Sequence, residues 1–239
     1  MGLGSVANHG PSLPPVPRPE SPFKGDDMED LTKIAEDIRA ELDAKNAVRD
    51  KALVTSREAI RFSANSIRAI HRGEFKEAAA LLKEARTRVR ETAGELKGRL
   101  DIYYAGYVQD AQKEYTEAEA VKAIMQDLPI PSYRDLGVEA APYLNGLGEA
   151  VSECRRDVLD LLRAGNMERA VEVLKAMDDV YYILVTFDYP DAITGGLRRT
   201  MDMVRAVLER TRGDLTVTIR QRELEQALNK AVEVFEGKP

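Results

Sequence analysis

The sequence predicts an all-α fold, and three of its features support that class. The chain contains no proline between Glu29 and Leu128, and proline is the residue that most strongly breaks helices. The same stretch is rich in Ala, Glu, Lys, Arg and Leu, which favour helices. The β-branched run at residues 215–219 is flanked by sequence typical of a helix start. We therefore expect long helices and no sheet.

The first predicted helix runs from about residue 28 to residue 72 and ends at Gly73. Small and apolar residues recur along it at the spacing of one helix face. These residues are Leu42, Val48, Ala52, Ala59, Phe62, Ser66 and Ile70. This face is expected to pack on the rest of the fold.

The second helical region begins near Glu74 and contains an interruption. Glycines weaken the helical pattern within residues 94–98, and the pattern resumes over residues 103–125. Pro129 and Pro131 then end it, because proline cannot continue a helix. The pattern thus predicts two successive helices in this region.

The last part of the chain predicts four more helices. Gly165 follows the first of them and is typical of a left-handed cap. Residues 188–190 and 212–214, with Pro190 and Gly213, are expected to separate the others. The predicted helices cover residues 142–164, 167–187, 191–212 and 214–235.

Two regions of different composition predict the domain organisation. Residues 1–27 contain the run from Pro11 to Pro22, which is rich in proline and poor in apolar side chains, so we expect a disordered leader. Met28 is the alternative start of the protein. Residues 28–239 are within the range of one domain, and we expect a single helical domain there.

Several features favour a cytoplasmic protein without a membrane anchor. The chain lacks a run of about 20 apolar residues, which a membrane span requires, and it lacks a signal peptide pattern. Cys154 is its only cysteine, which excludes an intrachain disulfide and a cysteine-based metal cluster.

The charges are segregated along the chain. The formal net charge is −6, which argues against adhesion to nucleic acid over the whole surface. Residues 49–99, however, contain 13 basic and 7 acidic side chains, a local balance of +6, so the remainder carries −12. Pairing with acidic helices inside the fold is the favoured explanation, and a basic surface stripe is the alternative.

Arginines form a stripe on the first two predicted helices. Four of them are spaced by four, seven and four residues on the first helix, and two more repeat the pattern on the second. Such a stripe binds phosphates without reading bases, but salt bridges to neighbouring glutamates explain it equally well. The six arginines are Arg57, Arg61, Arg68, Arg72, Arg86 and Arg90.

Carboxylates are the remaining candidates for chemistry. Nucleotide-binding loops and zinc motifs are absent, His9 lies in the leader, and His71 is interpreted as a helix-terminal partner or a phosphate contact. Asp110 shares one helix face with two glutamates, and Asp157 and Asp160 share the next with two more. The four glutamates are Glu114, Glu117, Glu149 and Glu153.

If those two helices are neighbours, the four glutamates form an oxygen-only site that suits Mg²⁺ or Mn²⁺. Such ions cleave phosphodiesters by activating water. By spacing alone, a solvated helix face is the better explanation, because 32% of the residues are charged. The flanking small residues, among them Ala118, Gly146 and Gly148, indicate close helix packing instead.

Four short motifs in this order resemble the translin family, specifically its nuclease-bearing branch, translin-associated factor X. The resemblance covers most of residues 28–234. The motifs are Arg57-Glu58 to His71-Arg72-Gly73, then Gln112-Lys-Glu-Tyr-Thr-Glu-Ala118, then Tyr143-Leu-Asn-Gly-Leu-Gly-Glu-Ala-Val-Ser-Glu153, and finally Leu197-Arg-Arg199 with Asp202, Glu209 and Asp214-Leu215.

The resemblance implies a seven-helix protomer that assembles into a barrel-like homo-oligomer, an octamer, with RNA on its inner surface. It also implies metal-dependent endoribonuclease activity at Glu114, Glu117, Glu149 and Glu153. The translin branch has apolar residues at the positions of Glu114 and Glu117, so both carboxylates favour a cleaving member. The family has Asp where this chain has Glu149, which leaves cleavage less well supported than binding.

The sequence therefore predicts a protein that binds single-stranded or short duplex RNA and hydrolyses it with Mg²⁺, or with Mn²⁺. The alternative is a non-catalytic scaffold that binds single-stranded RNA or DNA. The slope of affinity against salt concentration tests binding by arginines, and cleavage needs a separate test.

Overall fold

In a computed structural model of the chain, residues 25–235 are described, and these residues contain nine helices and no strand. In chain order the helices are α1 (Gly25–His71), α2 (Phe75–Glu95), α3 (Leu100–Tyr103), α4 (Gly106–Met125), α5 (Tyr133–Leu136), α6 (Ala140–Arg163), α7 (Met167–Leu184), α8 (Asp191–Thr194) and α9 (Leu197–Phe235). The predicted all-α class is confirmed. No helix within residues 25–235 is both long and apolar enough to cross a membrane.

Contacts divide the chain into two compact units, residues 1–46 and residues 47–239. Of the first unit, the structure describes the beginning of α1, where Leu31, Ile38 and Leu42 are exposed. The proposed leader lies almost entirely outside the described residues, since α1 begins at Gly25. The single domain over residues 28–239 stays a prediction.

The core of the second unit is built around α6, which packs against α4, α7 and α9. Its apolar side chains interlock with theirs in one large cluster that includes Val121, Val151, Met177 and Leu208. A second cluster joins the latter part of α1 to α2 and α4. Side chains of α4 thereby belong to both clusters.

Two glycines let α6 lie unusually close to its neighbours. A Cβ atom on Gly146 would lie 2.5 Å from the backbone oxygen of Lys113, in α4. A Cβ atom on Gly148 would lie 2.5 Å from Cγ2 of Thr200, in α9. The close packing predicted from these glycines is therefore present, and it brings the α6 backbone within reach of α4 side chains.

The predicted break at Gly213 is wrong, because α9 continues through it. Thr211 and Leu215 are buried on either side, and Arg155 of α6 donates hydrogen bonds to Thr211 and Asp214. These contacts offset the helix cost of one glycine, about 1 kcal/mol. The described residues thus contain six long helices and three helices of four residues each.

Candidate functional site

Three carboxylates meet where α4 and α6 lie close together. Glu114 and Glu117 are three residues apart on α4, so both project from one face of that helix. Glu149 comes from α6, directly after the two glycines that permit the close approach. One oxygen from each carboxylate lies within 4.8 Å of the others, which is a spacing suited to a shared metal ion.

Glu117 is the most buried member of this cluster. Only 8% of the residue is exposed, and within the described part of the chain no hydrogen bond or ion pair reaches its carboxylate. Burial raises the pKa of Glu117 to about 8, and the neighbouring carboxylates add to the shift. A buried carboxylate without a partner is costly, so the site favours either a proton or a cation beside Glu117.

Lys113 supplies a cation at the cluster, and the sequence analysis did not identify it. Its ammonium lies 2.8 Å from Oε1 of Glu149 and 3.8 Å from Oε1 of Glu114. Burial lowers the pKa of Lys113, but the hydrogen bond to Glu149 and the nearby negative charges outweigh burial and raise it. The position between these carboxylates therefore stabilises positive charge.

Glu153, the fourth predicted ligand, is held by His71. The Nε2 atom of His71 lies 2.7 Å from Oε1 of Glu153, and its Nδ1 atom lies 2.8 Å from Oδ1 of Asp157. Asp157 and Glu153 raise the pKa of His71 to about 9, so the doubly donating imidazolium is the favoured form. The same hydrogen bond lowers the pKa of Glu153. His71, the last residue of α1, is thus a partner of two carboxylates.

Glu153 still belongs to the surroundings of the cluster. A cavity of about 270 Å³ lies beside Glu114 and Glu117, and Glu153 lines it. Its remaining lining consists of Ala64, Ile67, Arg68, His71 and Arg156. The structure therefore brings together three of the predicted glutamates directly and places the fourth at the edge of the same cavity.

The donor set fits a hard divalent cation. Carboxylate oxygens are the ligands that Mg²⁺ and Mn²⁺ prefer. Glu117 has no other partner in the described chain, and the ammonium of Lys113 already lies against two members of the cluster. Glu114, Glu117 and Glu149 would hold such an ion, with Lys113 displaced from its present position.

The six predicted phosphate-binding arginines are all exposed, but only one lines the carboxylate cavity. That residue is Arg68. On α1, Arg61 lies 4.0 Å from Glu58, and Arg72 forms ion pairs with Glu74 and Glu77. The remaining three, Arg57, Arg86 and Arg90, are exposed on α1 and α2, and Arg86 also donates to the backbone oxygen of Asp135.

Arg156 was missed by the sequence analysis, although a signal for it exists. It lies three residues after Glu153 on α6, and that spacing places both on one helix face. Asp110 and Asp160, on the two predicted carboxylate faces, are not among the three clustered carboxylates. Asp110 lines a neighbouring cavity with Lys113 and Glu149, and Asp160 pairs with Arg163 at 2.7 Å.

Fold and site together define an all-helical protein with an interhelical carboxylate cluster flanked by basic side chains. No protein-family model matches the chain. An uncharacterized protein of Methanocaldococcus jannaschii is 31% identical over 191 residues, which are 78% of this chain and 83% of that protein.

Solved structures give the family. The chain is similar to AfC3PO in its crystal structure, with 32% identity, a TM-score of 0.73, and coverage of 79% of this chain and 98% of that one. The AfC3PO–duplex RNA complex gives 33% identity and a TM-score of 0.69, over 79% and 97% of the two chains. The fold also resembles apo-NeC3PO at 22% identity and a TM-score of 0.70, covering 77% and 96%. The protein belongs to the translin family.

Proposed function

We propose that this protein binds RNA and hydrolyses its phosphodiester bonds with a divalent cation held by Glu114, Glu117 and Glu149. The observation that carries the proposal is the convergence of three carboxylates within 4.8 Å, one of which is buried without a partner in the described chain. The similarity to AfC3PO, which was solved with duplex RNA, supports RNA as the ligand.

The residues have different roles in this proposal. Bound Mg²⁺ or Mn²⁺ would supply Lewis-acid polarisation of the phosphoryl oxygen and stabilise charge on the leaving oxygen. Glu114, Glu117 and Glu149 hold the cation, and Glu153, fixed by His71, orients the attacking water at the edge of the cavity. Arg57, Arg61, Arg68, Arg72, Arg86 and Arg90 neutralise phosphates along the bound strand.

The protein is also proposed to act as a homo-oligomer, and an octameric barrel is the assembly that the family suggests. Large apolar side chains are exposed on the second unit near the end of α7 and in α8. They include Tyr182, Ile183, Tyr189 and Ile193. Large apolar side chains exposed close together in the sequence are expected at a protein–protein interface.

The test is cleavage of 5′-labelled single-stranded RNA in Mg²⁺, in Mn²⁺ and in EDTA, with the assembly state followed by light scattering. Glu114→Gln and Glu149→Gln each remove one charged ligand while preserving side-chain shape. We expect both to lower the cleavage rate by about 100-fold or more. Glu119→Gln is the control, because Glu119 is on α4 but pairs with Lys122, outside the cluster.

One observation favours a second function. The Lys113–Glu149 ion pair neutralises part of the cluster internally, as expected for a non-catalytic scaffold that binds single-stranded RNA or DNA. Binding without cuts in either divalent ion, by an intact assembly, would establish the scaffold and contradict the nuclease. Metal-dependent cuts that Glu119→Gln retains and the two ligand variants lose would establish the nuclease.

A further inference from the structure

Two exposed arginines line the carboxylate cavity, and they come from different helices. Arg68 comes from α1 and Arg156 from α6, and both line the cavity with Glu114 and Glu117. The cavity is therefore lined by both acidic side chains and guanidinium groups. A metal-dependent phosphodiesterase needs this combination, because carboxylates bind the cation but repel the phosphate.

The two arginines are positioned by the same contact. His71 lies three residues after Arg68, and Glu153 lies three residues before Arg156, so each arginine is one helical turn from the 2.7 Å His71–Glu153 bond. Only 3% of the His71 side chain is exposed. This contact joins α1 to α6 close to both arginines.

Neither arginine is closely paired with a carboxylate within the described residues. Arg68 donates to the neutral amide oxygen of Asn65 at 2.8 Å. Arg156 is 64% exposed, and its nearest carboxylate partner, Asp160, is 3.9 Å away. By contrast, Arg72 and Arg88 are each paired with two glutamates. The positive charges of these two arginines are thus available to an anion.

We propose that Arg68 and Arg156 bind one backbone phosphate of the RNA and place its phosphodiester over the Glu114–Glu117–Glu149 cluster. Guanidinium groups suit this role because their N–H donors match two phosphate oxygens at once. The inference rests on the proposed function for its ligand, RNA, and adds Arg156 as a positioning residue for the scissile phosphate.

Arg156→Gln is the test variant and Arg163→Gln is its matched control. Both arginines are exposed on α6, both lie near Asp160, and each substitution removes one positive charge. Arg163 is seven residues beyond Arg156 and does not line the carboxylate cavity. A general effect of net charge on RNA binding therefore appears equally in both variants.

Affinity for a labelled single-stranded RNA is measured by fluorescence anisotropy in Ca²⁺ over a range of salt concentrations, with a gel to check that the RNA stays intact. We expect Arg156→Gln to weaken binding about 5- to 10-fold and to reduce the slope of log affinity against log salt by about 0.7, the value for one phosphate on a single strand. Arg163→Gln is expected to stay within about twofold of the wild type.

Two further readouts separate this inference from the nuclease itself. Mn²⁺ affinity, measured by electron paramagnetic resonance without RNA, should be the same in Arg156→Gln and wild type. Cleavage in Mg²⁺ should fall in Arg156→Gln more than its affinity does, because the phosphate is misplaced as well as more weakly held.

The outcomes are distinct. Wild-type cleavage with identical behaviour of Arg156→Gln and Arg163→Gln would overturn the phosphate site and leave the nuclease standing. A selective loss of affinity in Arg156→Gln, with no cuts by the wild type, would support the phosphate site and remove the nuclease. A wild type that does not bind RNA would overturn both.

Discussion

Lys113 places a positive charge beside two of the three clustered carboxylates, where it would compete with a divalent cation. Its ammonium lies 2.8 Å from Oε1 of Glu149 and 3.8 Å from Oε1 of Glu114, so removing the lysine would free these oxygens to ligate a metal. We predict that Lys113→Met binds Mn²⁺ about 10-fold more tightly than wild type, which corresponds to about 1.4 kcal/mol. Titration by electron paramagnetic resonance measures this directly.

The control for Lys113 is available on the same helix. Lys122→Met removes a lysine of similar burial, which pairs with Glu119 at 2.6 Å and lies outside the cluster. Its Mn²⁺ affinity should equal that of the wild type. Equal affinities for all three proteins would show that Lys113 does not compete with the metal.

His71 gives the protein a pH dependence of known sign. Its pKa is raised from 6.5 to about 9 in the folded state, so the folded protein binds more protons than the unfolded chain between these values. The stability that His71 contributes is complete below pH 6.5 and is lost as the pH rises through 9. We therefore predict that the free energy of unfolding in EDTA decreases over this window.

Two measurements check the His71 prediction. Proton NMR of a His9→Gln variant leaves one histidine, whose ring signals should titrate near pH 9. His71→Gln should be less stable at pH 6 and should show a shallower decrease of stability above pH 6.5. The comparison isolates His71 from Glu117, whose raised pKa acts with the same sign. Titration near 6.5 would mean that the two carboxylates do not hold the imidazole.

At the level of the helices, the approach of α6 to α4 depends on Gly146. An added Cβ would lie 2.5 Å from the backbone oxygen of Lys113 and 2.8 Å from Cβ of Thr116, and a backbone atom cannot move aside alone. We predict that Gly146→Ala lowers the free energy of unfolding by about 1–3 kcal/mol, the usual cost of overpacking. Because α6 must move, Glu149 should also leave the cluster and Mn²⁺ affinity should fall.

Gly94 of α2 provides the matched substitution. Nothing lies within 4 Å of the Cβ that alanine would add there. Gly94→Ala should therefore be neutral or stabilising by up to about 1 kcal/mol, because alanine favours helices. Urea denaturation of both variants measures the two free energies of unfolding. Equal stabilities would contradict a close contact at Gly146.

The limits of sequence-based prediction differ between features of this chain. Gly73, Pro129 and Gly165 end helices through local backbone preferences, so those boundaries were predicted closely. The continuity of α9 depends on contacts with Arg155, which lies 59 residues before Asp214, and a local pattern cannot report such contacts. Gly213 alone therefore led to the prediction of a helix break that the structure does not contain.

In the candidate site, too, local patterns were predicted and contacts between distant residues were not. The glutamates of α4 were identified because helical spacing places them on one face, and the glycines of α6 indicated how close its backbone lies. The pairing of His71 with Glu153 joins residues 82 apart, and neither helix alone indicates it. Lys113 and Arg156 were overlooked because only the packed helices bring them to the cluster and the cavity.

For the whole molecule, the segregated charges have a structural counterpart. The basic stretch, residues 49–99, forms the latter part of α1 and all of α2, and its arginines are mostly exposed. Arg88 is paired within the fold, with Glu58 and Glu91. Such pairing does not explain all of the arginines in this stretch. A local surface that binds phosphate is therefore compatible with an acidic protein.

The exposed apolar side chains from Tyr182 to Ile193 give a prediction about assembly. Ile183 and Ile193 are 61% and 65% exposed, which is unfavourable in a lone protomer. We predict that the wild type is a homo-oligomer and that Ile183→Glu with Ile193→Glu shifts it to smaller species, because the charges would be buried unpaired at an interface. Light scattering coupled to size exclusion measures the mass.

Circular dichroism is the control for folding of this double variant, since exposed positions tolerate a polar side chain in the protomer. Unchanged helicity with a lower mass would assign the interface to these residues. An unchanged mass would show that the protomers associate through another surface. The same substitutions test whether RNA binding depends on assembly. If the arginines that bind one RNA strand belong to more than one protomer, separated protomers make fewer phosphate contacts. The salt dependence of RNA affinity should therefore become shallower in the dissociated variant, and an unchanged slope would mean that one protomer carries the complete RNA-binding surface.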